Sequence, residues 1–190
     1  MKAGLVLSGC GVKDGSEIHE AVLTMLHLDR SGAQIVCAAP EADLAQVVNH
    51  VSGQACPGER RSMLRESARI ARGDIIALDR LGAQDIDVLI FPGGFGAARN
   101  LCAFADEGPR CSVRPDVERL ILDMQQARKP MGALCIAPVI LARVLGAHGM
   151  PVEVTIGNER GVADAITAMG ARHVDCPVDR AVVDLSLIHI

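Results

Sequence analysis

The run Gly132-Ala133-Leu134-Cys135-Ile136-Ala137-Pro138 constrains this chain most. A short apolar run, Pro130 to Ala133, leads into it, and a helical pattern from Val139 through Leu145 follows. That order reads as strand, tight turn, helix, with a cysteine at the turn and alanines two positions away on either side. Small flanking residues let strand and helix approach each other around a strained central residue. The turn pushes the Cys135 side chain out beyond the sheet edge. It also sets the thiol at a helix N-terminus, where backbone N–H groups and the helix dipole favour a thiolate. Cysteine chemistry is the expectation.

The rest of the chain supplies what such a turn needs. Runs of Val, Leu and Ile alternate with helical patterns, which predicts an α/β fold with a mostly parallel sheet covered on both faces. Strands are expected at Ala3–Leu7, Gln34–Ala38, Val88–Phe91, Val152–Ile156 and Ala181–Val183. Asp14 and Ser16 are candidate caps for a helix reaching Asp29, with Ile18, Val22, Met25 and Leu26 on one face. Leu44–Val48, Met63–Ala71, Val117–Ala127 and Val162–Met169 also read as helices, and Ser52–Glu59 as a polar loop. With 190 residues, no Trp, no Tyr and three Phe, the core must be aliphatic. The length suits one domain over residues 1–184. One encoding of Leu185–Ile190 resembles a transposase end sequence, so 185–190 reads as a non-native tail on a chain that continues natively past Asp184.

A net charge of −4 and the lack of a basic run argue against nucleic acid or an anionic membrane surface as partner. No apolar run reaches the length of a membrane span. Met1 to Leu7 enters a strand pattern directly, without a secretory signal, which gives a cytosolic expectation. The seven cysteines contain no C-x-x-C pair, so structural zinc is not expected, and most should be free thiols packed as small apolar groups.

Three segments should meet at the carboxyl ends of the strands, where open α/β sheets bind ligands. They are Ser8 to Glu17, Phe91-Pro92-Gly93-Gly94-Phe95-Gly96, and the Cys135 turn. Together with Asp14-Gly15-Ser16-Glu17-Ile18-His19-Glu20 and Cys135-Ile136-Ala137-Pro138, these strings resemble the ElbB-type (isoprenoid biosynthesis, glyoxalase-like) branch of the PfpI/ThiJ superfamily of glutamine amidotransferase-like domains. The similarity runs from Met1 to Asp184. It implies a flavodoxin-like three-layer sandwich, a homodimer, and a chain that extends further. Carried over, Cys135 is the nucleophile and Glu17 the carboxyl beside it. Gly93, Gly94 and the Ile136 amide are the oxyanion and substrate-binding positions.

The residues agree with that chemistry. A thiolate adding to an aldehyde makes an alkoxide that needs preorganised N–H donors, and a neighbouring carboxyl can move the proton. Val152–Glu159, where a glutaminase would carry its histidine, has none. His148 lies only in the loop before it, so an active glutaminase is not expected unless a partner supplies the missing group. The expectation is a cofactor-free, metal-free glyoxalase, with deglycase activity on protein adducts, acting on a small aldehyde such as glyoxal. The alternative is a redox-sensing or metabolite-binding regulatory module built on the same cysteine.

Overall fold

The aliphatic runs become the strands. A computed structural model describes residues 1–185, and in it five strands form one parallel sheet in the order β3-β2-β1-β4-β5. They are β1 (Lys2–Val6), β2 (Gln34–Ala39), β3 (Ile76–Ala77), β4 (Val88–Phe91) and β5 (Met131–Ala133). The first strand in the chain is thus the middle one: Leu5 sits opposite Cys37 of β2 on one side and Ile90 of β4 on the other.

Parallel neighbours need crossover connections, and helices supply them. They are α1 (Ile18–Arg30), α2 (Met63–Ile70), a short α3 (Phe104–Glu107), α4 (Pro115–Gln126) and α5 (Pro138–Ala147). Successive strand residues point to opposite faces. Leu5 and Leu7 therefore join Cys37 and Ala39 under Ala21 of α1 and Ile70 of α2. Val6, Leu89 and Phe91 face the other way, onto Leu120, Ile121 and Met124 of α4 and Val139, Ile140 and Val144 of α5. The result is a flavodoxin-like three-layer arrangement. Phe91 is the one aromatic that is fully buried. Each such large apolar side chain contributes about 1.5–3 kcal/mol through burial.

Beyond α5 a small two-stranded parallel sheet pairs β6 (Glu153–Val154) with β7 (Arg172–His173), connected by α6 (Arg160–Ala168). Among the described residues no helix is long and apolar enough to cross a membrane.

Some expectations need correcting. Leu44–Val48 is not a helix: Val48 N donates to the Asp14 carboxylate and Ala45 N to the Asn100 side chain, so tertiary partners claim the donors a helix would use. Asp14 and Ser16 do not cap α1. Both are buried, and Ser16 Oγ accepts from Ser8 N at 2.9 Å. Ala181–Val183 forms no strand. Asp184 beside it accepts a 2.7 Å hydrogen bond from Glu153 N. Of the proposed 185–190 tail, only Leu185 lies within the described residues.

Candidate active site

The Cys135 turn begins as a regular strand. Gly132 and Ala133 pair with Ile90 and Phe91, and Leu134 N donates to Phe91 O at 3.0 Å. At Cys135 the backbone then enters the left-handed region, with φ 54°. A side chain there costs about 1–2 kcal/mol, which the surrounding structure must hold in place. Ala137 N closes the turn onto Leu134 O at 2.9 Å, and Pro138 opens α5 with the fixed φ that a first helical residue wants. Cys135 is left exposed at the sheet edge, beside the loop that follows β4.

That loop holds the partner group. Gly93 N donates to Glu20 Oε2 at 2.8 Å. A Cβ on Gly93 would sit 2.5 Å from both the Cys135 Cβ and Glu20 Oε2, so glycine is what lets thiol and carboxyl converge. Gly94 follows with φ 96°, where a Cβ would meet Glu17 N and Gly15 O at 2.5 Å. The loop is stitched to the segment after β1 by Glu17 N to Gly93 O (2.9 Å), Phe95 N to Val12 O (2.8 Å) and Gly96 N to Gly15 O (3.0 Å). Three segments thus meet at the carboxyl ends of β1, β4 and β5.

Partial burial and three groups act on the Cys135 thiol. Burial raises its pKa above the ordinary value, and the negative charge and hydrogen bond of Glu20 raise it further. The Gly94 and Ile136 N–H groups donate to the sulfur and pull the other way without prevailing. The expectation that the helix start favours a thiolate is therefore corrected: burial, joined by the carboxylate beside the sulfur, outweighs the amides and keeps the proton on.

The carboxyl in question is also different. Glu17 is the N-cap of α1: its Oε2 accepts from Glu20 N at 2.7 Å and its Oε1 pairs with His19 Nδ1 at 2.8 Å. Burial would raise its pKa, but the hydrogen bonds from His19 and the Glu20 amide win and lower it. Its oxygens serve the first turn of the helix, whereas Glu20, one turn on, reaches Gly93 and the thiol. Gly93 is corrected in the same way, because its N–H is spent on Glu20. The amides aimed at the sulfur are those of Gly94 and Ile136. Sequence carried no signal for this, since the Glu17-x-x-Glu20 spacing would ordinarily turn the second acid back onto the N-cap amide, which here donates to Gly93 O instead.

No histidine is among the groups acting on Cys135. His148 caps the far end of α5, about 15 Å of helix away, with Nδ1 on Val144 O. Among the described residues no group of three His, Cys, Asp or Glu side chains gathers as metal ligands.

Comparison with known proteins shows the family and the fold. No family model matches the chain. It is 48% identical over 192 residues to the mitochondrial glutamine amidotransferase-like class 1 domain-containing protein 3 of Homo sapiens, covering 96% of this chain and 70% of that protein. It is 38% identical over 185 residues to the mitochondrial ES1 protein of Danio rerio, covering 89% of this chain and 67% of that protein. These mitochondrial names, shared by a 46% identical ES1 homolog of Rattus norvegicus, overturn the cytosolic expectation, which rested on Met1 to Leu7 entering a strand without a secretory signal. Among solved structures, an isoprenoid biosynthesis protein with an amidotransferase-like domain from Ehrlichia chaffeensis superposes with a TM-score of 0.85 at 40% identity, over 93% of this chain and 80% of that one. A DJ-1 superfamily protein from Agrobacterium tumefaciens, at 22% identity and a TM-score of 0.55, shares the fold. The chain belongs to the family of glutamine amidotransferase-like class 1 domain proteins.

Proposed function

We propose that the protein is a cofactor-independent glyoxalase that converts glyoxal-type α-oxoaldehydes to hydroxy acids. The observation that carries the reading is the grouping of Cys135, at φ 54°, with the Glu20 carboxyl and the Gly94 and Ile136 amides around one sulfur. A protonated thiol beside a carboxylate is primed for coupled transfer: Glu20 takes the proton as sulfur adds to the aldehyde carbon. The new alkoxide accepts hydrogen bonds from the Gly94 and Ile136 amides and is protonated to a hemithioacetal. Glu20 next removes the proton from the hemithioacetal carbon, forming an enediol, and returns a proton to the neighbouring carbon. The product is a thioester on Cys135. Water cleaves it, releasing glycolate and the thiol, so that glyoxal gains one water overall. The same steps on an aldehyde adduct of a protein amine would be deglycase activity.

The raised pKa of Cys135 weighs against the sensor alternative, since a peroxide sensor works through an exposed thiolate. A homodimer is part of the same reading. Ile18, Val22 and Leu26 form an apolar row along α1, exposed by 41%, 46% and 39%, on the helix that carries Glu20. A second copy of this helix would cover that row.

The test is glycolate formation from glyoxal, with protein quantified by amide absorbance because the chain has no Trp or Tyr. Cys135→Ala should abolish turnover, and Glu20→Gln should reduce it by about 10²–10⁴-fold. Glu17→Gln should keep most of it. Wild-type turnover by Cys135→Ala would overturn the reading.

A further inference from the structure

A second pair of sulfurs lies away from Cys135. Cys102 and Cys111 are both buried in the larger apolar cluster, and their thiols are in hydrogen-bonding contact. The backbone makes the approach deliberate. Cys102 pairs with Val113 across an antiparallel bridge, Ala103 N donates to Ser112 O at 2.9 Å, and Arg114 N donates to Leu101 O at 3.0 Å. The chain between the cysteines is therefore a loop closed at its base, with one sulfur on each limb.

Three further features distinguish the pair from two cysteines that merely fill space. A cleft of about 220 Å³ is lined by Cys111, Ser112 and Arg143, and another of about 440 Å³ by Cys102, Asn100 and Arg99, so each limb of the loop borders a cleft beside its buried sulfur. Arg143 Nε donates to Cys111 O at 2.7 Å, holding a guanidinium beside that residue. The pair also polarises itself. Donation from Cys102 lowers the pKa of Cys111, Arg143 lowers it further against burial and Glu107, and Cys102 is raised in turn. One sulfur is thus the better nucleophile and the other holds the proton. Cys37, buried without such a partner, is instead pushed up to about 11.

We propose that Cys102 and Cys111 are a reversible disulfide site, oxidised by small hydroperoxides. Cys111 thiolate attacks the peroxide oxygen, breaking the O–O bond and leaving Cys111 as a sulfenic acid with loss of hydroxide. The Cys102 sulfur then attacks the Cys111 sulfur, and its proton leaves with the departing hydroxyl as water. Two thiols and one hydrogen peroxide give one disulfide and two waters, the two electrons passing from sulfur to oxygen.

The experiment treats the reduced, full-length chain with stoichiometric hydrogen peroxide, blocks remaining thiols with N-ethylmaleimide, and maps tryptic peptides by mass. The expected product joins Asn100–Arg110 to Cys111–Arg119, is reversed by dithiothreitol, and is lost in Cys102→Ser and Cys111→Ser. Cys135→Ser should retain it. Because a buried Ser substitution can unfold the chain, the unaltered reduced protein is also treated with dibromobimane, which should cross-link the same two peptides. Full alkylation of Cys102 and Cys111 after peroxide, or a disulfide involving any other cysteine in their place, would overturn the proposal. Failure of dibromobimane to bridge the two would do so as well.

Discussion

Glu20 and Glu17 lie three residues apart and do opposite things to their surroundings. Exchanging Glu20 for glutamine keeps the shape and removes the charge that holds the proton on Cys135. Alkylation of Cys135 by iodoacetamide should therefore have a midpoint above 9.0 in the native protein and a lower one in Glu20→Gln. At pH 8 the variant should react several-fold faster while glyoxal turnover falls, an opposition that loss of folding would not give. Glu17→Ala should instead cost about 1 kcal/mol of stability, read as a lower Tm, by removing the cap on α1. Because the folded Glu17 pKa lies below its ordinary 4.5, that contribution is complete above this value and is lost as pH falls through the lowered one. The Cys135 turn was legible because it is encoded locally, in seven consecutive residues. Its partner was not, because which acid faces the sulfur depends on where α1 begins. Helix starts are the least sharply encoded feature of a sequence.

At the scale of elements, the loop after β4 is a positioning device. It continues into one π-helical turn, Ala97–Leu101, which no hydrophobic periodicity announces. Asn100 in that turn is buried and fully engaged. It donates to Ser8 O (2.9 Å) and Asp14 O (2.8 Å), and accepts from Ala45 N (3.0 Å). Asn100→Ala would leave two buried carbonyls and the part-buried Ala45 amide unpaired and should lower stability by about 2–4 kcal/mol in urea denaturation. The same side chain explains why Leu44–Val48 reads as a helix and is not one, since a partner 55 residues away takes the Ala45 donor. Gly94→Ala should abolish turnover and lower Tm clearly as well. A Cβ there meets backbone of the neighbouring loop at 2.5 Å and would displace the amide that faces the sulfur.

For the whole molecule, the alternation of strand and helix was readable because every buried parallel strand must be apolar along its length. Val88–Phe91 and the Leu120, Ile121, Met124 stripe fall where the pattern puts them. Strand order was not, because pairing between β1 and β4 joins Ala3 to Val88, beyond any local signal. The exposed row on α1 belongs to this scale too. Val22→Glu should convert a dimer to a monomer in light scattering while leaving the monomer folded. Placing the first strand at the centre also has a consequence for synthesis. Once Ala39 has left the ribosome, β1 and β2 can pair, yet the other side of β1 has no neighbour until Val88 to Phe91 follow. At about 5–20 residues per second that interval lasts on the order of several seconds. Throughout it an apolar strand edge is open to any other nascent chain, so the crowded polysome is where this fold is most exposed to misassociation.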